Sequence, residues 1–136
     1  CRFVRAAHYS ALDRFDYFKM ANEAIVIIQL EGQEAIDNLD EILDVQGIDI
    51  VFIGPYDLSQ SLGVAGQVEH PAVEAKMREI VSKCESKGIF AGTFVDMMDN
   101  ARKWKSAGIK YLSYSVDLGL FYEHCKSIVE NLKQQH

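Results

Sequence analysis

Four blocks of nearly continuous apolar residues, at positions 25–30, 48–53, 89–95 and 109–115, alternate with longer stretches whose apolar positions recur three and four residues apart. The blocks have the length and β-branched content of fully buried strands, and the stretches between them read as amphipathic helices. A first helix is expected over residues 12–24, with Leu12, Phe15, Phe18 and Met20 as an imperfect apolar stripe and Asp13 near its start. Ala35, Ile36, Leu39, Ile42 and Leu43 predict a second, which Val45 and Gly47 close. Residues 59–67 read as a loop with one short helical turn. His70-Pro71 then opens a long helix through Ala75, Ile80, Val81 and Cys84 that Gly88 ends. Residues 97–107, ending at Gly108, and 118–132 complete the helices.

The order is therefore one helix followed by four strand-helix units, with no internal linker or low-complexity tract. Strict alternation of this kind predicts a parallel sheet with both faces covered. Right-handed crossovers leave two arrangements, an open doubly wound sheet or half of a closed barrel, and the pattern does not separate them.

Length narrows the picture. The 136 residues suit one domain, and a complete eight-fold barrel takes roughly 250. Opening on Cys1 instead of methionine is the expectation for a segment of a longer protein. Hydrophobic residues at 49% and charged residues at 25% supply a core and argue against disorder. The net charge of −6 argues against a nucleic-acid partner. The apolar runs are far below the ~20 residues that span a bilayer, so a cytoplasmic location with no membrane partner is expected. Three cysteines, Cys1, Cys84 and Cys125, form no C-x-x-C spacing and read as reduced thiols.

Candidate chemistry lies at the strand ends. Glu31 closes the first apolar block, and Asp57 follows the second across Gly54-Pro55-Tyr56. Ligands of parallel α/β folds gather at the carboxyl ends of the strands, so the two acids are read as a metal site. Neighbouring parallel strands lie under about 5 Å apart, close enough for both carboxylates to share one cation. Two hard oxygen ligands suit Mg²⁺ or Mn²⁺, with Co²⁺ a further candidate.

The stretches Gln29-Leu30-Glu31, Gly47-Ile48-Asp49-Ile50-Val51-Phe52-Ile53-Gly54-Pro55-Tyr56-Asp57-Leu58-Ser59, Leu62-Gly63 and Val116-Asp117-Leu118-Gly119 carry a resemblance. Nearly the whole chain is similar to the HpcH/HpaI family of class II, metal-dependent pyruvate aldolases. The resemblance implies the second half, about four strand-helix units, of a (β/α)8 barrel as one unit over residues 1–136. It implies reversible cleavage of a 4-hydroxy-2-oxo acid to pyruvate and an aldehyde. Glu31 and Asp57 take the metal-ligand positions, Gln29 a substrate-contacting position, and Tyr56 and Asp57 the backbone positions that hold the pyruvate carboxylate. The family's catalytic arginine and its base-linked histidine would lie upstream, so the chain by itself is expected to be catalytically incomplete. The small-molecule 2-oxo acid is the implied partner, and hexamers built from dimers exchanging the last helix are the implied assembly. A citrate-lyase-β-like lyase and a non-catalytic metal-binding α/β module needing a partner half are the competing readings.

Other residues read more plainly. Tyr56 departs from the small residue common in the family pattern, so its ring is expected to narrow the pocket. His8 lies in Arg5-Ala6-Ala7-His8-Tyr9, which resembles a loop near the family's site, and Arg2 and Arg5 face either the site, a neighbouring subunit or solvent. His70 reads as a helix cap, His124 and His136 as surface and tail, and Asp117 as a cap at a strand end. Cys84 and Cys125 read as packing residues, and Met97, Met98 and Trp104 as core or interface.

Overall fold

The computed structural model describes residues 4–133, so Cys1, Arg2 and His136 lie outside the described residues. A short 3-10 segment, Arg5–Ser10, precedes α1 (Arg14–Asn22). Then follow β1 (Ile27–Leu30), α2 (Gln33–Asp37), α3 (Leu39–Leu43), β2 (Ile50–Ile53), α4 (Pro55–Ser61) and α5 (Pro71–Ser86). The chain ends with β3 (Phe90–Val95), α6 (Met98–Ser106), β4 (Tyr111–Tyr114) and α7 (Asp117–Lys133). The four strands form one sheet in the order β1-β2-β3-β4, every neighbouring pair parallel, as the alternation of elements predicts.

Sequential order has a consequence for the faces. Crossovers of one hand that always step to the next strand put every connecting helix on the same side of the sheet. The register separates the two sides. Leu30, Ile53 and Thr93 share a row, Val51 pairs with Ala91, and these face the helices and are buried. Leu39, Leu58, Val73, Met77 and Ile80 close over them. Ile27, Ile50 and Phe90 share a row of the opposite parity, as do Gln29, Phe52, Gly92 and Tyr111. No described helix covers this second face: Ile27 is 43% exposed and Phe90 56%. Both faces were expected to be covered, and only one is.

The same geometry shortens the first strand. Ile25 and Val26 were read as part of a fully buried strand, but both are exposed and β1 starts at Ile27. As the edge strand, β1 has one hydrogen-bonded neighbour, and the Asp49 carboxylate accepts from Val26 N–H at 2.7 Å to hold the approach to it. In α1, Asp13 caps as expected, accepting from Phe15 N–H at 2.8 Å. Its expected apolar stripe is not buried, since α1 contains no buried residue.

A further difference lies after β2. Residues 59–67 read as a loop with one short helical turn, whereas the helix α4 already begins at Pro55 and runs through Ser61. Proline at the first helical position has its φ preset and lacks only an N–H that would be unpaired there anyway. At α5, His70 Nδ1 accepts from Ala72 N–H at 3.2 Å, the cap expected of it. Gly88 and Gly108 take positive φ of 72° and 106° after α5 and α6, as helix-ending residues do.

Trp104 is buried, whereas Met97 and Met98 are exposed and do not belong to the core. Cys84 is buried and its thiol is pushed up to about 11 by desolvation, so it packs as an inert apolar group. Cys125, read as a packing residue, is exposed on α7, where no residue is buried. Among the described residues no helix is long and apolar enough to cross a membrane.

The core makes one direct test available. Met77 is fully buried beneath the sheet, so Met77→Ala should destabilise the chain by about 2–5 kcal/mol through lost transfer energy and the cavity left behind. Chemical denaturation showing less than half a kcal/mol would mean that α5 does not pack as described.

Candidate active site at the strand ends

Three consecutive strands deliver an acidic residue to the same rim of the sheet. Glu31 directly follows β1, Asp57 stands in the first turn after β2, and Asp96 directly follows β3. The ladder continues one step beyond the paired strands, with Gly54 N–H donating to Leu30 C=O at 3.3 Å, which brings Glu31 beside Gly54.

Gly54 is the floor on which the first two acids meet. A Cβ at this position would stand 2.8 Å from Glu31 Oε2, 3.3 Å from Glu31 Cβ and 3.6 Å from Asp57 Oδ2. Both carboxylates therefore lean over the same α-carbon, in space that only a glycine leaves free. Gln29 Nε2 donates to Glu31 Oε2 at 2.8 Å and fixes the carboxylate's orientation. This is where the structure puts Gln29, Glu31 and Asp57: together, at one point of the rim.

The charges there are not neutralised. The six ion pairs among the described residues join helix-borne groups such as Lys83 with Asp40 and Lys103 with Glu74, and none includes Glu31, Asp57 or Asp96. Two adjacent hard-oxygen donors with no cationic partner suit a divalent cation of the Mg²⁺ or Mn²⁺ type, which needs few protein ligands and keeps water or substrate in its other positions. Among the described residues no group of three or more acidic, histidine or cysteine side chains is placed to form a fuller cage.

Behind the rim, buried polar bonds hold α4 against the sheet. Ser59, fully buried, donates to Tyr56 C=O at 2.6 Å and accepts from Gly66 N–H at 2.9 Å. Thr93 Oγ1, also buried, donates to Ile53 C=O at 2.9 Å and ties β3 to the end of β2. The N–H groups of Tyr56 and Asp57, in the first turn of α4, have no acceptor within the helix.

Tyr56 is placed by a contact the sequence did not announce. Its hydroxyl donates to Asp96 Oδ2 at 2.5 Å, and its ring tilts against Phe94 with centroids 6.4 Å apart. The hydrogen bond to Asp96, then burial, raise the phenol above its ordinary value, so it stays a protonated donor. Asp96 was missed because it reads as an ordinary strand-to-helix residue. The available signal was its position, one residue past the third apolar block.

The remaining candidates do not join this group. His8 sits in the 3-10 segment at a positive φ of 46°, and among the described residues no hydrogen bond links it or Arg5 to Glu31 or Asp57. His124 is exposed on α7, as read. The Asp117 carboxylate accepts from Leu118 N–H at 2.8 Å, the capping role expected of it at the start of α7.

The model of the HpcH/HpaI aldolase/citrate lyase family matches residues 4–123. A 5-keto-4-deoxy-D-glucarate aldolase of Shigella boydii serotype 18 is 30% identical over 120 residues, covering 88% of this chain and 47% of that protein. Thus the chain spans about half the length of the curated relatives it matches. An HpcH/HpaI aldolase/citrate lyase family protein from Burkholderia cenocepacia J2315 superposes with a TM-score of 0.87 at 30% identity, over 98% of this chain and 51% of that one. An HpcH/HpaI aldolase from Desulfitobacterium hafniense DCB-2 superposes at 0.77 and 29% identity, over 90% and 48% of the two chains. With a family model matching residues 4–123 and a superposition covering 98% of its length, the chain belongs to the HpcH/HpaI aldolase/citrate lyase family.

Proposed function

We propose that this chain is the metal-holding half of a (β/α)8 aldehyde-lyase that cleaves a 4-hydroxy-2-oxo acid to pyruvate and an aldehyde. The observation that carries the reading is the convergence of Glu31 and Asp57 over Gly54 at the ends of adjacent parallel strands. A bare, half-exposed apolar face on a four-stranded sheet with both edges open is what half of a closed barrel would present.

Each residue has a stated task. Glu31 and Asp57 hold the cation, and Gln29 orients Glu31 and reaches toward the keto acid. The first-turn N–H groups of Tyr56 and Asp57 donate to the pyruvate carboxylate. When bound, the divalent cation supplies Lewis-acid stabilisation of the negative charge that develops as the C3–C4 bond breaks. The reaction also needs a base for the C4 hydroxyl proton. That group, with a cation over the keto oxygen, is assigned to the complementary half. Residues Leu120, Phe121, Ile128 and Val129 of α7 are exposed and supply a contact for a homo-oligomer, up to a hexamer. The thiols of Cys84 and Cys125 are unpaired, in keeping with a cytoplasmic enzyme.

Exchange chemistry tests the proposal. The enzyme in which this half is joined to its complement, loaded with Mn²⁺, should exchange the methyl protons of pyruvate with deuterated water, followed by proton NMR. The half alone should not. Absence of exchange in the joined enzyme would remove the aldolase reading, and exchange by the half alone would show that the base lies within it.

A further inference from the structure

Tyr56 and Asp96 form a wall beside the metal pair whose charge has no counterpart. Asp96 stands one strand from Asp57 along the rim, a step of about 5 Å, and the Tyr56 ring bridges the two strand ends to reach it. Tyr56 and Asp96 also line a groove of about 570 Å³, bordered further by Gln67, Glu69, His70 and Asn100. Its border contains two carboxylates, Asp96 and Glu69, two side-chain amides, and no lysine or arginine. Asp96 itself accepts from the Tyr56 hydroxyl, and Lys103, which lines the adjoining cleft with both of them, is already paired with Glu74.

We propose that this groove, between the Tyr56–Asp96 pair and the 67–70 loop, takes the aldehyde end of the substrate and selects an uncharged, hydroxylated chain over one ending in a carboxylate. The inference rests on the aldolase reading above and names the substrate class of that site. Tyr56, which lines the groove, is the residue next to Asp57, so the groove begins one residue from the metal pair. Amide and carboxylate oxygens there accept from hydroxyl groups, whereas a second carboxylate would be driven against Asp96 and Glu69 with no cation to pair with. Discrimination by such a repulsive element requires no added attraction for the favoured substrate. Asp96 acts through its charge, and Tyr56 is the positioning residue that holds it.

Two five-carbon ligands that differ only at the far end decide the matter: 5-hydroxy-2-oxopentanoate and 2-oxoglutarate, each titrated calorimetrically into the Mn²⁺-loaded protein. The hydroxyl-ended ligand should bind on the order of tenfold tighter. Asp96→Asn should bring the two affinities within about threefold by strengthening 2-oxoglutarate alone, and a Glu69→Gln change should act in the same direction. Raising the salt from about 0.05 to 0.5 M should narrow the ratio in the unaltered protein, a readout that needs no variant to fold. A purely structural role for Asp96 would weaken both ligands together and leave their ratio unchanged, which would overturn the inference. Equal or reversed affinities in the unaltered protein would overturn it too, while leaving the aldolase reading standing. Binding of neither ligand would remove the 2-oxo acid site itself, and this inference with it.

Discussion

Glu31→Gln and Asp57→Asn should each lower Mn²⁺ affinity by more than about 100-fold, since even outer-shell changes at metal sites cost 10–100-fold. The two substitutions preserve side-chain shape and remove only the charge that a hard cation requires. Folding should hardly notice. Glu31 is half-buried and Asp57 exposed, and neither belongs to an ion pair that would be broken. Loss of the Asp57 charge at the start of α4 removes a favourable interaction with the helix dipole worth about 0.3–1 kcal/mol. Calorimetry should therefore report a lost metal and thermal unfolding a nearly unchanged protein. Unaltered Mn²⁺ affinity in both variants would dismantle the metal centre.

A sharper result is expected from Gly54→Ala, which adds a methyl group and touches no charge. Gly54 has φ −83° and ψ 98°, a backbone region alanine enters freely, so no backbone strain arises. The added methyl would stand 2.8 Å from Glu31 Oε2 and 3.3 Å from Glu31 Cβ, and the Glu31 side chain has to swing away. Because the atom met most closely is the end of a flexible chain, the fold should lose no more than about 1 kcal/mol. Metal affinity should fall by about 10–100-fold, because Glu31 leaves its position and its bond from Gln29. Stability and metal binding would thus come apart in one substitution. An intact metal affinity in Gly54→Ala would mean that the two carboxylates do not meet over this residue.

The strand blocks were legible because a central strand flanked by packed neighbours favours an unbroken apolar run, as β2 shows, and β3 keeps most of one around Gly92 and Thr93. Glu31 and Asp57 were legible for a related reason, since each stands just past such a run, where chain direction alone puts it at the carboxyl rim. The helix α4 was not legible. Its apolar content is low, and it is held by Ser59, a polar residue whose two hydrogen bonds and complete burial follow from packing against the sheet. The Tyr56–Asp96 bond was equally hidden, joining residues 40 positions apart that meet only because β2 and β3 are neighbours.

By itself, then, the sequence determined the alternation of four strands with helices, the parallel direction of the strands and the presence of two acids at consecutive strand ends, all of which depend on local periodicity and chain direction. Only the tertiary structure decided that the helices share one side of the sheet, that Ile27 and Phe90 stay uncovered on the other, and that Asp96 completes the acidic rim. The reason is physical. An apolar residue in a strand specifies burial but not by which neighbour, and a carboxylate specifies a charge but not what will stand beside it. Strand order and register set both, through contacts between residues far apart in the chain.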